Sequence, residues 1–120
     1  MVLKVHAQAF SIEAANVRHE HEWKVWQDVQ LPEGKILIPG VIAHATNLVE
    51  HPELLADRLV RYANLVGREN VIAGTDCGFG TFADNDGIDP RIAWAKLASL
   101  GEGARRATDE LWRRGAAGAA

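Results

Sequence analysis

The sequence predicts an α/β fold with parallel strands. A short apolar run, a loop and a helical segment recur three times along the 120 residues. The runs place apolar residues on both faces, as in strands covered on both sides. Strand–helix units in series join parallel strands through crossovers.

The first run is Ala7–Ala15, with Phe10, Ile12 and Ala14 at alternate positions, and it is the weakest of the three. The second is Lys35–Ile42, where Ile36, Leu37 and Ile38 are apolar in succession; the third is Asn70–Gly74, with Val71 and Ile72. A short helix is expected over Glu22–Val29, with Trp23 and Trp26 at i, i+3. The second helix starts at Glu50–Glu53, with Pro52 where a missing N–H costs nothing. Leu55, Leu59, Ala63 and Val66 then make a stripe, and Gly67 stops it. Asp89-Pro90 opens the third helix in the same way. Ala93, Leu97, Leu100, Ala104, Ala107 and Leu111 form its stripe. Gly101 and Gly103 weaken that helix by ~1 kcal/mol each unless they permit close packing. The four tryptophans read as packing residues, and Gly115–Ala120 as a frayed, flexible tail beyond a domain at 1–114.

Three units are few for such a sheet. Helices on one side leave the other face bare, and soluble monomers rarely tolerate an exposed Ile- and Leu-bearing patch. Further chain or a partner is therefore expected, by self-association if not by a missing part of the fold.

Composition narrows the function. A net charge of −3 argues against a nucleic-acid binder. Apolar residues make up 48%, too many for a disordered chain. No apolar run approaches the ~20 residues that span a bilayer, and the N-terminus lacks a secretory pattern. One cysteine, Cys77, excludes an intrachain disulfide and a zinc module built on two or four cysteines. A cytoplasmic location is expected. No GxGxxG, Walker or GxSxG motif is present.

Sites on such folds gather at the C-terminal ends of the strands. Around the first end lie Glu13, Asn16, Arg18, His19, Glu20 and His21; after the second, Pro39, Gly40 and His44; after the third, Thr75, Asp76, Cys77 and Gly78. Cys77, within GTDCGFG, reads either as a metal-bound thiolate or nucleophile, or as a buried small apolar residue. Glu13 interrupts an apolar run. It either faces solvent or points into a cavity where it needs a partner. In His19-Glu20-His21-Glu22 the two imidazoles share a face if extended and diverge in a helix, while the glutamates favour a helix start. His44 is either a proton donor beside a turn or a loop histidine without a role. Arg105, Arg106, Arg113 and Arg114 read as a solvated helix face.

Three stretches resemble the cobalamin-independent methionine synthase family, in its shorter single-barrel branch with epoxyalkane:coenzyme M transferases as relatives. They are FSIEAANVRHEHEW, ILIPGVIAHATNLVEHPELLADRLVRYANLVGRENVIAGTDCGFGTF and IAWAKLASLGEGARRA, running with gaps from Phe10 to Ala107. The resemblance implies the last three βα units of a (β/α)8 barrel of the TIM type. It also implies zinc at the barrel's C-terminal rim. Members of the family activate a thiol on zinc, and the thiol then attacks an alkyl donor. In the synthases these are homocysteine and a methyltetrahydrofolate polyglutamate. Glu13 falls on the family's glutamate zinc ligand and Cys77 on its last cysteine. Arg18, His19, His21 and Asp76 would bind substrate, and His44 lies one residue from a catalytic histidine. The family's His-x-Cys ligand pair has no counterpart here, and Ala43 stands where the family often carries aspartate. The expectation is a zinc-dependent methyltransferase fragment, inactive alone. The alternatives are another zinc-thiolate alkyltransferase or lyase on the same barrel, or a non-catalytic truncated product.

Overall fold

A computed structural model describes residues 2–80 and 87–119, with the side chains of 114–119 left out. Residues 81–86, which include Thr81 and Phe82 at the end of the second resembling stretch, lie outside the described residues. The elements are β1 (Ala9–Glu13), β2 (Ile36–Ile42), α1 (Pro52–Val66), β3 (Gly74–Thr75) and α2 (Pro90–Ala119), with short 3-10 segments between them. The three strands form one parallel sheet in the order β1-β2-β3. The α/β class with parallel strands and a long C-terminal helix is therefore what the chain adopts.

Local chemistry accounts for the helix ends. His51 caps α1, its ring nitrogen accepting from Glu53 N at 3.1 Å, and Pro52 follows where no N–H is required. Gly67, at φ 103°, ends α1. The Asp89 carboxylate accepts from Arg91 N at 2.8 Å at the start of α2.

Two apolar clusters seat the helices on one face of the sheet. Phe10 and Leu37 pack with Trp26, Leu31 and Tyr62; Val41 and Ile42 pack with Leu55, Leu59, Val60 and Ala107. In β1–β2 register, Ser11 faces Ile38 and Glu13 faces Gly40. Ser11 on that second face is exposed, and Ile36 and Ile38 are half-buried.

Several expectations are corrected. The segment expected as a helix at 22–29 is a 3-10 helix at Glu20–Gln27. The third strand is displaced, because a 3-10 turn takes Arg68–Asn70 and Val71 pairs only singly with Leu37. The ladder resumes at Gly74, across a register shift between Gly40 and Ile42. The buried stripe of α2 includes Lys96, Ser99 and Ala107, whereas Leu97 is 37% exposed. Trp26 packs in the core, but Trp94 is 72% exposed, and Trp112 lies half out beneath the Arg68 guanidinium at 3.9 Å. The α2 backbone runs through residue 119. Arg105, Arg106 and Arg113 do lie on a face of ion pairs with Glu102, Glu53 and Asp109; the Arg114 side chain is outside the described residues.

Candidate functional site

The strand ends converge because the backbones approach closely. A Cβ on Gly40 would lie 2.6 Å from Asp76 Cα, so only glycine lets the β3 loop cross β2 there. Asp76 N then donates to Ile42 O at 2.9 Å. Its carboxylate is buried and reaches back to the end of β1. Oδ1 accepts from Ala14 N and Ala15 N at 2.8 and 2.9 Å, and Oδ2 accepts from Asn16 Nδ2 at 2.9 Å. One carboxylate thus satisfies two backbone donors that would otherwise be orphaned in the interior. It fixes the position of Glu13, the residue before them. Asp76, expected to bind substrate, has three of its acceptor directions committed to the fold.

Glu13 is held in turn. Its Oε2 accepts from Asn16 Nδ2 at 3.3 Å and lies 3.2 Å from His19 Nε2. His19 Nδ1 sits 2.8 Å from Glu22 Oε1. With a carboxylate on each ring nitrogen, the imidazole pKa rises. The Glu22 hydrogen bond is the largest cause, and the charges of Glu22, Glu13 and Asp76 add to it against desolvation.

The loop after β2 is clamped from α2. Lys96 is wholly buried, and its Nζ donates to Ala43 O at 3.1 Å, to Leu48 O at 2.7 Å and to Glu50 Oε1 at 2.8 Å. Glu50 Oε2 accepts from Ala43 N at 2.7 Å, and Ser99 Oγ donates to Glu50 O. Both backbone polar groups of Ala43 are thereby pinned, immediately before His44. A buried ammonium is tolerated because every proton has an acceptor and its charge has a partner.

These supports bring Glu13, His44 and Cys77 together. One ligand atom from each, an oxygen, a ring nitrogen and the sulfur, lies within 4.8 Å of the others. Among the described residues, His44 Nδ1 is buried without a hydrogen-bond partner. Burial raises the thiol pKa of Cys77, and the Glu13 and Asp76 charges raise it further. Although Cys77 as a residue is exposed, desolvation of its sulfur is the largest of these causes. A cleft of ~390 Å³ opens beside the cluster, lined by Glu13, Asn16, Val17, Arg18, His44 and Ala45. The donors fit a divalent transition metal. A thiolate, an imidazole and a carboxylate are the donors that zinc takes, and three protein ligands leave one position open.

Of the other candidate residues, Arg18 is exposed on the wall of this cleft. His21 diverges from His19 and lines a different cleft with Trp23, Arg58, Arg61 and Tyr62, on the helix side of the sheet. Lys96, Glu50 and Asn16 were not singled out for these roles by sequence reasoning. The one available signal for Lys96 was a charge three residues after Ala93 and four before Leu100, inside the apolar stripe.

No family profile and no curated protein matches the chain. Among solved structures, the chain is similar to a B12-independent methionine synthase from Shewanella sp. W3-18-1, in complex with selenomethionine. The two share 24% sequence identity and a TM-score of 0.75, and the match covers 93% of this chain. The chain spans 30% of the length of that protein. The likeness defines a shared fold: this chain folds like one part of that α/β structure. Among the described residues, no helix is long and apolar enough to cross a membrane.

Proposed function

We propose that the chain is the C-terminal part of a zinc-dependent methyltransferase barrel of the cobalamin-independent methionine synthase type. Its substrates would be a homocysteine-type thiol and a methyltetrahydrofolate-type donor. The observation that carries this reading is the meeting of Glu13, His44 and Cys77 at the strand ends. The structural likeness to a methionine synthase supports it.

Glu13 and Cys77 would hold the metal. When bound, zinc would lower the pKa of a substrate thiol and fix its sulfur for transfer. The chain's own residues do the rest. Asp76 holds the end of β1 in place, Asn16 and His19 orient the Glu13 carboxylate, and the Lys96–Glu50 pair fixes the approach to His44. Arg18 and His44 border the cleft from which a substrate would approach. Arg18 offers a guanidinium to a substrate carboxylate. The open second face of the sheet leaves room for the remaining strands of a barrel or for a second copy.

An alkyl transfer to another thiol, such as coenzyme M, is the alternative that the same residues serve. The test is methyl transfer from methyltetrahydrofolate triglutamate to homocysteine, with coenzyme M as the competing acceptor. The 120-residue chain alone is expected to show no turnover. A barrel completed upstream of Met1 is expected to turn over homocysteine, and Glu13→Gln or Cys77→Ser to lower kcat more than ~100-fold, beyond the ~10–100-fold typical of an outer partner. Preference for coenzyme M would select the alternative. Failure of the completed barrel with both thiols would overturn the reading.

A further inference from the structure

We infer that His44 is a metal ligand, so that Glu13, His44 and Cys77 together hold one divalent transition-metal ion. The inference rests on the metal-centre reading above. It departs from the ligand set that the resemblance implies, in which the remaining donors are a His-x-Cys pair and a histidine near position 44 serves catalysis.

Four observations carry it. First, the three donor atoms already lie within 4.8 Å of one another, although they come from three separate strand ends. A small contraction brings them to the ~2.0–2.3 Å bonds of zinc. Second, among the described residues His44 Nδ1 is a buried ring nitrogen without a partner. Buried side-chain nitrogens are nearly always satisfied, and an ion is one of the groups that resolves such an exception. Third, His44 follows a residue whose N–H and C=O are both tied to the buried Lys96–Glu50 pair. A ligand on so constrained a loop loses little freedom on binding. Fourth, the competing imidazole is engaged elsewhere. His19 sets one nitrogen against Glu13 and the other against Glu22, which is the arrangement of an outer residue that orients a ligating carboxylate.

The binding step balances simply. The Cys77 thiol gives its proton to solvent and the thiolate forms the bond to the metal; His44 binds as neutral imidazole and Glu13 as carboxylate. A cysteine thiol is mostly protonated at neutral pH, so its proton release on metal binding is measurable. Three protein donors leave a fourth position for a small thiol or water.

The test uses the 120-residue chain with Co2+ alone, followed by displacement with Zn2+. The expected result is one equivalent bound, a near-ultraviolet thiolate-to-metal charge-transfer band and about one proton released. His44→Ala is expected to weaken binding by more than ~100-fold, and His19→Ala by ~10–100-fold as an outer partner. In the unsubstituted chain labelled with 15N, Zn2+ should shift the His44 ring nitrogens strongly, which avoids any folding defect of a variant. Binding that persists in His44→Ala, or a His44 ring unmoved by zinc, would overturn this inference and leave Glu13 and Cys77 as ligands. Absence of metal binding by the unsubstituted chain would also overturn it. Co2+ binding that survives Cys77→Ser would overturn the metal-centre reading as well.

Discussion

On one face of the sheet, Phe10 and Leu37 lie buried against Trp26 and Tyr62; on the other, Ser11 is exposed and Glu13, Ile36 and Ile38 are only half-buried. Ile72, next to the Val71 that pairs with Leu37, stands 53% exposed. Both faces come from the same strands by alternation of side chains. The helix-covered face carries the stability. The open face carries Glu13 and, with it, the candidate metal centre. On the proposed barrel reading that second face would point inward, which would give its exposure and its chemistry one cause.

The largest test of this contrast is a pair of substitutions. Leu37→Ala is expected to cost ~2–5 kcal/mol of unfolding free energy, because Leu37 is wholly buried. Ile72→Thr should stay within ~0.5 kcal/mol in the same urea titration. A loss at Ile72 close to that at Leu37, growing with protein concentration, would mean that a second copy covers the open face.

A smaller effect sharpens how the covered face is closed. A Cβ on Gly103 would lie 2.7 Å from Leu55 Cβ and 3.1 Å from Pro52 O, so α2 crosses α1 at this glycine. Gly103→Ala is expected to cost ~1–3 kcal/mol by overpacking. A Cβ on Gly101 would meet nothing from another element within 4 Å among the described residues, and Gly101→Ala should stabilise by ~0.4–1 kcal/mol. Equal effects at the two positions, read as thermal midpoints, would contradict this crossing.

The smallest effect belongs to the open face. The folded pKa of His19 lies above its ordinary value, chiefly through the Glu22 hydrogen bond. Any stability it contributes is present in full below the unfolded value of ~6.5 and is lost as pH rises through the folded value. An imidazole proton titration by NMR should show His19 titrating above the free range, and Glu22→Gln should bring it down. A normal His19 in the unsubstituted chain would remove the carboxylate bracket around it.

Three strand–helix units, the starts of both long helices and the stop at Gly67 were legible in the sequence, since Pro52, Gly67 and Asp89-Pro90 act within a turn of their own position. Glu13 and Cys77 stood out because a carboxylate broke an apolar run and the single thiol sat among glycines. The displaced third strand was not legible. Its register depends on Gly40 meeting the backbone of Asp76, a contact made only after the sheet assembles. Nor were the exposure of Trp94 and the burial of Lys96, because the rotation of α2 is set by packing on α1 rather than by its own hydrophobicity.

By itself, the sequence determined the order of strands and helices along the chain and which residue types lie near the strand ends, because propensity, capping and alternation are local. Tertiary structure alone decided that Asp76 would brace β1, and that Lys96 would find Glu50 across 46 residues. It also decided that His44 would join Glu13 and Cys77. Each of these is a contact between groups far apart in the chain. Its energy is realised only when burial removes water and leaves each polar group to find its partner inside the fold.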